Sequence, residues 1–183
     1  MDPERPLETP RLRLEPLTPD HAAELYEPLQ GRRLYDFIPQ EPPASQQALE
    51  ERYRKLSTRR SPDGREAWLN WAMRERATGG YVGVLEATVQ GDRTAFIAYT
   101  VFVFRQRQGF AREGCRRVIR HLFENYGASV IVAEIDTRNA ASIALVEGLG
   151  FRRAAFVRDA DHFKGASSDE YRYELRGPGH SRC

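Results

Sequence analysis

The chain has 183 residues, of which 40% are hydrophobic and 30% are charged, which indicates one soluble globular domain with a buried core. A formal net charge of +2 is too near neutral to indicate direct binding to nucleic acid. No apolar run is long enough to span a membrane, and the first twenty residues carry prolines and acids where a signal peptide has an apolar core, so we expect a cytoplasmic protein.

The first half of the chain is predicted to hold one strand and two helices before the main sheet. Residues 11–15 alternate between polar and apolar side chains, which predicts a strand. Thr18 followed by Pro19 is typical of a helix start, and we expect this helix to run to about Leu29. Prolines and a glycine interrupt residues 30–43, which are predicted to be irregular, and Ser45 is expected to cap a second helix through about Leu56.

A polar loop over residues 57–65 leads into three predicted strands, over residues 68–74, 81–89 and 94–104. Short glycine-containing turns join these strands, so neighbours should be antiparallel. A further strand over residues 129–136 follows a helix, and the crossover that this requires should make it parallel to the third strand.

The end of the chain is predicted to hold two strands, over residues 153–158 and 170–175, joined by a polar loop over residues 159–168. We expect residues 1–177 to form a single domain and residues 178–183 to be a disordered tail.

The turn Gln106–Ala111 joins the third strand to a helix and has the features of an anion site. The apolar face of that helix and its terminating glycine are formed by Ala111, Cys115, Val118, Ile119, Leu122, Phe123, Tyr126 and Gly127. The first N–H groups of the helix are unpaired, the helix dipole adds positive charge, and Arg105, Arg107 and Arg112 add more. The pattern favours phosphate binding, although a turn that merely requires Gly109 is the alternative.

Two segments, in the correct order, resemble the GCN5-related N-acetyltransferases (GNAT). Gln106-x-x-Gly109-x-Ala111 is similar to the acyl-CoA signature of that family, Gln/Arg-x-x-Gly-x-Gly/Ala. Asn139-x-x-Ser142, followed by Leu-Gly-Phe at residues 149–151, is similar to its second conserved segment. The opening residues 7–14 and the closing residues 169–175 also resemble the branch that acetylates the N-termini of ribosomal proteins.

The resemblance implies a mixed α/β fold of about seven strands with four helices on both faces of the sheet. It also implies acetyl-CoA as the cofactor. The implied cofactor-binding residues are Val101, Phe102, Val103, Gln108, Gly109, Phe110, Ala111, Arg112, Asn139 and Ser142. The strand residues would contact the pantetheine arm and polarise the thioester oxygen, and the turn would hold the pyrophosphate. Asn139 is equally an ideal helix N-cap, and we expect it to cap and to contact the cofactor.

Acetyl transfer from a thioester to an amine passes through a tetrahedral intermediate, and the thiolate that leaves needs a proton or a donor. An α-amine, with a pKa of about 7.7–8.0, needs little help to lose its proton, whereas a lysine, with a pKa of about 10.4, needs a base. Glu86 is the candidate base because alternation predicts that it shares a face with Val82 and Val84, whose apolar side chains suit a carboxylate with a raised pKa. A solvated Glu86 is the alternative. Ser142 is the candidate proton donor.

Other groups are candidates for the role of the base. Glu134 and Asp136 lie on a later strand, His162 lies in the predicted last loop, and an ordered water would be enough for an α-amine. His121 is predicted to be solvated. The four histidines are scattered, no Cys-x-x-Cys exists, and no metal site is predicted.

The acceptor is expected to be a primary amine, first a protein or peptide N-terminus and alternatively a small amine such as an amino acid, a polyamine or an aminoglycoside. A non-catalytic acyl-CoA-binding module is the alternative from another class. The acceptor pocket is expected to include Arg32, Arg33, Tyr35, Phe37 and the predicted loop 159–168. An open groove between Tyr35 and that loop would favour a peptide, and a closed, acid-lined pocket a small amine. The chain is expected to act as a monomer or homodimer.

Overall fold

A computed structural model describes residues 4–177 of the chain, and within this range eight strands form one mixed sheet. The strands are β1 (Leu7–Glu8), β2 (Leu12–Pro16), β3 (Ala67–Glu75), β4 (Tyr81–Val89), β5 (Thr94–Val101), β6 (Val130–Asp136), β7 (Arg152–Phe163) and β8 (Ala166–Arg176). The α-helices are α1 (Ala22–Leu25), α2 (Gln46–Leu56), α3 (Phe110–Tyr126) and α4 (Ala140–Gly148). The expected tail over residues 178–183 lies outside the described residues.

The strand order is β1-β2-β3-β4-β5-β6-β8-β7, and only the β5–β6 pair among these strands is parallel. The predicted α/β fold with a mixed sheet is confirmed, as is the parallel crossover through α3. The strand count is eight rather than about seven, and the short β1 pairs with β2 at one edge.

Two hydrophobic cores lie on the two faces of the sheet. The larger core lies beneath α3 and α4 and includes Leu12, Leu85, Leu122, Ile131 and Val146. The smaller core lies beneath α1 and α2 and includes Leu25, Leu49, Tyr53, Val84 and Phe102. Each fully buried leucine among them contributes about 1.5–3 kcal/mol of transfer free energy. The cores therefore fix helices on both faces, as expected.

Helix α3 follows its predicted pattern, since Cys115, Val118 and Leu122 recur at helical spacing and are all buried. Gly127 ends the helix in the left-handed conformation, with a φ of 61°. The prediction that His121 is solvated is wrong, because its ring is 8% exposed and lies edge-on to Trp71 of β3. The buried face of α3 is therefore wider than the sequence predicts, because it includes His121 despite the charged residues near it.

The predicted helix over residues 19–29 is broken into three short pieces. A 3-10 turn at Pro19–His21 leads into α1, and a second 3-10 turn at Pro28–Gln30 follows. Pro28 accounts for the break, because proline has no N–H to continue the helical ladder and its ring clashes with the preceding turn.

The predicted loop 159–168 is wrong, because those residues form the tip of the β7–β8 hairpin. Strands β7 and β8 pair as far as Phe163 and Ala166, and the two turn residues, Lys164 and Gly165, have φ values of 52° and 76°. Two positive φ values are typical of a tight type I′ turn. The predicted strands over residues 153–158 and 170–175 are confirmed, but both are longer than expected. Most side chains of β7 are exposed, so its extension to Phe163 lacks the apolar alternation that would predict it.

No helix within residues 4–177 combines the length and the apolar character needed to cross a membrane.

Candidate functional site

An opening between β5 and β6 is the main irregularity of the sheet. The two parallel strands pair only from Thr94, opposite Val130, to Phe96, opposite Val132. Beyond that point β5 continues to Val101 and β6 to Asp136, so their carboxyl ends separate. Crevices at the carboxyl ends of parallel strands are the usual ligand sites of open α/β sheets. The β5–β6 opening is therefore the candidate site.

The unpaired end of β5 presents backbone groups to this opening. A Cβ added at Gly83 of β4 would overlap the carbonyl oxygen of Thr100, which shows that the Thr100 carbonyl faces β4. Peptide groups alternate in direction along a strand, so those of Tyr99 and Val101 face the opening. The Val101 carbonyl accepts a hydrogen bond from Gln106 Nε2 at 3.1 Å. The Tyr99 and Val101 N–H groups therefore face the opening and are available to a ligand that enters it.

The strand predicted over residues 94–104 ends at Val101, and Phe102 begins a turn. The Phe102 N–H donates to the carbonyl of Val82 at 3.0 Å, and its ring is fully buried in the smaller core. Val103 lies in the 3-10 turn that follows and is exposed. Of the three expected strand contacts, Val101 lies at the opening, Phe102 packs in the smaller core, and Val103 lies against Gly31 in the segment after α1.

The N-terminus of α3 lies at the mouth of the opening, directly after β5. Gly109 precedes the helix with a φ of 82° and has no side chain to cap it. Within residues 4–177, the N–H groups of Phe110, Ala111 and Arg112 donate to no oxygen. The Phe110 ring is buried, whereas Gln108, Gly109 and Arg112 are exposed. The turn therefore offers three free donors and the positive end of the helix dipole.

Helix α4 begins at the opposite side of the mouth. Asn139 Oδ1 accepts a hydrogen bond from the Ser142 N–H at 3.1 Å, so Asn139 is the N-cap of α4. The Tyr99 hydroxyl lies 3.4 Å from the Ser142 carbonyl oxygen and links β5 to the first turn of α4. Burial raises the pKa of the Tyr99 phenol, which keeps it protonated and able to donate. No role for the Tyr99 side chain is predicted from the sequence.

Glu86 lies on the other face of the sheet, beneath α2. Val84 belongs to the smaller core and Val82 to the larger one, because the β3–β4 pairing is irregular near Gly83. The expectation that Glu86 shares a face with Val82 is therefore wrong, although it holds for Val84. The Glu86 side chain is 36% exposed, and Oε1 lies 3.3 Å from Nη2 of Arg52.

Glu86 and Ser142 lie on opposite sides of the sheet, because α4 packs on the larger core and Glu86 on the side of the smaller one. The β5–β6 opening connects the two sides. The structure does not bring the two expected catalytic side chains into contact, and a group reaching through the opening would lie between them.

Asp136, the alternative candidate for the base, already accepts hydrogen bonds from neighbouring side chains. It accepts hydrogen bonds from Arg138 Nε at 2.9 Å and from Ser168 Oγ at 2.6 Å, and it is buried. The hydrogen bond from Arg138 is the main reason that the pKa of Asp136 falls to about 2. Glu134 pairs with Arg172 at 3.2 Å. An aspartate with so low a pKa is a poor proton acceptor at neutral pH.

The expected acceptor residues lie at the rim of the opposite face. The Tyr35 ring is buried and its hydroxyl donates to the Leu29 carbonyl at 2.8 Å, whereas Arg32 and Arg33 are exposed. Lys164, at the tip of the hairpin, donates from Nζ to the Tyr35 carbonyl. The two sides of the expected groove thus touch at this point.

Carboxylates accumulate on the hairpin side of the same face. Burial raises the pKa of Glu170 on β8, and the nearby charges of Glu134 and Asp161 raise it further. A cationic group would relieve this repulsion. No local pattern in the sequence predicts the cluster, because it forms only when β6, β7 and β8 pair.

Comparisons with known proteins agree with this architecture. A family model described as an acetyltransferase (GNAT) domain matches residues 11–152. A Bacillus subtilis (strain 168) protein named "Uncharacterized N-acetyltransferase YoaA" is 25% identical over 174 residues, which cover 94% of this chain and 97% of that protein.

Two solved structures show the same fold. The ribosomal-protein-S5-alanine acetyltransferase from Vibrio fischeri has a TM-score of 0.83 at 14% identity, covering 97% of this chain and 100% of that one. The spermidine N-acetyltransferase from Vibrio cholerae, in complex with CoA and spermine, has a TM-score of 0.77 at 20% identity, covering 92% of this chain and 96% of that one.

Proposed function

The chain belongs to the GNAT acetyltransferase family, and from this premise we propose that it transfers the acetyl group of acetyl-CoA to a primary amine. The observation that carries the proposal is the β5–β6 opening with the uncapped N-terminus of α3 at its mouth. This arrangement joins a phosphate-binding turn to a passage through the sheet, which a two-substrate transfer requires.

The residues at the opening fit acetyl-CoA. The left-handed Gly109 leaves the N–H groups of Phe110, Ala111 and Arg112 uncovered, and they suit a pyrophosphate. The peptide groups of Tyr99 and Val101 suit the amides of pantetheine. Asn139 and Ser142 would lie beside its thiol end. When bound, acetyl-CoA supplies the activated acetyl group and a thiol as leaving group.

The side of the sheet on which each side chain lies determines the role that we propose for it. Ser142, which lies beside the Tyr99 hydroxyl, donates a proton to the departing sulfur, and the Val101 N–H stabilises negative charge on the acetyl oxygen. Glu86, on the acceptor side, receives the proton from the amine, directly or through water. Ser142→Ala and Glu86→Gln should each lower kcat at least about tenfold while CoA binding persists. An unchanged kcat would remove the role from that residue.

A protein or peptide N-terminal amine is the first acceptor that we propose, because its amine needs little help to lose a proton near neutral pH. A small polyamine is the second candidate. The contact of Lys164 with Tyr35 brings the two sides of the expected groove together, and the carboxylates around Glu170 would attract a cationic amine. Release of free thiol with N-terminal peptides or with spermidine, each against acetyl-CoA alone, distinguishes them.

The first experiment is the thermal shift of the protein with acetyl-CoA, CoA and ATP. A ligand at 100 times its Kd stabilises the folded state by about 2.7 kcal/mol, so both CoA forms should raise Tm and ATP should not. Gly109→Asp should abolish the shift. Gly64→Asp is the matched control, because Gly64 also has a positive φ, of 70°, but lies in a loop with open space around it. Absence of any shift in the folded wild-type protein would refute the proposed function.

A further inference from the structure

Glu113 lies in the first turn of α3, where an unpaired carboxylate would oppose a phosphate at the same helix end. Both of its oxygens are occupied. Oε1 accepts from Thr9 Oγ1 at 2.7 Å and from the Arg11 N–H at 2.8 Å, and Oε2 accepts from Arg11 Nε at 2.6 Å. Burial alone would raise the pKa of Glu113, but the hydrogen bonds from Thr9 and Arg11 lower it. The carboxylate is therefore ionised and neutralised by Arg11.

Arg11 also holds the phosphate turn from outside. Its Nη1 donates to the Gln108 carbonyl at 3.0 Å, and its Cζ lies 4.7 Å from the centre of the Phe110 ring. A Cβ added at Gly109, between these residues, would lie 3.3 Å from Arg11 Nη2. One guanidinium thus contacts the residues on both sides of Gly109 and restricts the turn to its present conformation.

Arg105 supports the same ring from a second direction in the chain. Its Cζ lies 5.2 Å from the centre of the Phe110 ring, and its Nη2 pairs with Glu75 of β3. Arg11 and Arg105 are therefore occupied in the framework of the turn. Arg107, which is exposed, remains available to a phosphate, whereas the Arg112 guanidinium lies against Gly148 of α4.

We propose that Arg11 is a positioning residue for the phosphate turn: it cancels the charge of Glu113 and holds Gln108–Phe110, so that α3 presents a net positive end to CoA. This inference rests on the proposed function. It assigns a role to the Thr9–Arg11 segment that precedes β2, which does not itself line the opening. Because the helix dipole and first-turn charges act over one turn, the effect is electrostatic as well as geometric.

The test compares CoA affinity by calorimetry in Arg11→Met, Glu113→Gln and the double variant. Arg11→Met leaves Glu113 charged beside the phosphates and should weaken CoA binding about tenfold or more. Glu113→Gln keeps an acceptor for Thr9 and Arg11 but removes the charge, so affinity should stay within about twofold. The double variant should recover at least half of the loss, on a logarithmic scale.

Arg13→Met is the matched control, because Arg13 lies two residues further on, is similarly exposed, and pairs with Glu8 and Glu15 instead. It should leave CoA affinity unchanged. In turnover, Arg11→Met should raise the KM for acetyl-CoA and leave kcat unaltered, and its loss of affinity should shrink at high salt.

Two results would overturn the proposal: equal CoA affinity in Arg11→Met and wild type, or a double variant no tighter than Arg11→Met. If Arg11→Met does not fold, Arg11→Lys, which keeps the charge but reaches fewer partners, should weaken CoA binding about threefold or more, and equal affinity would contradict us. Failure of the wild-type protein to bind CoA would instead refute the proposed function.

Discussion

Arg107 occupies the left-handed region, with a φ of 61°, in the turn before α3. This conformation costs a residue with a side chain about 1 kcal/mol and costs glycine nothing. Arg107→Gly should therefore raise the free energy of unfolding by about 1 kcal/mol relative to Arg107→Ala, in urea titrations of both variants. The two substitutions remove the same charge, so both should weaken CoA binding equally. Equal free energies of unfolding for the two variants would show that the backbone at Arg107 is not strained.

His121 gives the protein a pH-dependent stability. Burial lowers the pKa of its imidazole, and the charge of Arg117 lowers it further. As pH falls below the unfolded pKa of about 6.5, the unfolded chain takes up a proton that the folded one does not, so stability is lost. The stability that neutral His121 contributes should be fully present above about pH 6.5.

The measurement is urea unfolding at intervals from pH 8 to pH 5.5 for wild type and His121→Gln. Glutamine can keep a contact with Asn125, whose Nδ2 lies 3.0 Å from His121 Nδ1, without titrating. Wild type should lose up to about 1.4 kcal/mol more per pH unit below 6.5. Parallel curves would show that His121 is not the group responsible.

At the scale of elements, Gly83 allows β4 and β5 to pair at the edge of the opening. A Cβ there would overlap the Thr100 carbonyl oxygen and lie 2.9 Å from Val101 Cα, both of which are backbone atoms that cannot turn aside. Gly83→Ala should destabilise the protein by about 3 kcal/mol, measured by urea unfolding.

Gly80→Ala is the control from the same hairpin. A Cβ there meets only Thr78 Oγ1, at 3.6 Å, so stability should change by less than about 0.5 kcal/mol. A similar loss in both variants would mean that the close approach at Gly83 is not the cause.

The elements that the sequence predicted well carry their information locally. Helix α3 has its apolar spacing and Gly127 within one segment, and α2 has Ser45, whose Oγ accepts from the Ala48 N–H at 3.0 Å. The last two strands are also predicted, over residues 153–158 and 170–175, but the extension of β7 to Phe163 is not, because its exposed side chains lack alternation. The break after α1 is not predicted, because the helical pattern of the sequence continues past Pro28.

The candidate site likewise combines local motifs, which the sequence predicts, with long-range contacts, which it does not. The turn containing Gly109 and the cap at Asn139 are local motifs, and the sequence places both at element ends. The contact of Arg11 with Glu113 joins residues 102 positions apart, and Lys164 meets Tyr35 across 129 positions. Such pairs depend on long-range contacts between elements, which the local turns and caps of a single sequence do not predict.

At the scale of the whole molecule, Lys164 ties the hairpin tip to the segment after α1. Lys164→Met should remove the hydrogen bond to the Tyr35 carbonyl and speed amide hydrogen exchange both at the tip and over residues 32–37. Lys55→Met, the control, changes the other lysine, whose Nζ lies 5.9 Å from the Trp68 ring. Unchanged exchange in the Lys164 variant would show that the two segments are held independently.

The β5–β6 opening divides the sheet into a five-stranded part and a three-stranded part, which are joined at three residue pairs. We expect the two parts to open as separate cooperative units in the free protein and as one unit with acetyl-CoA, visible as merged hydrogen-exchange rates. Degradation in a cell samples the opened form. Under the proposed function, the lifetime of the protein would then lengthen as the supply of acetyl-CoA rises.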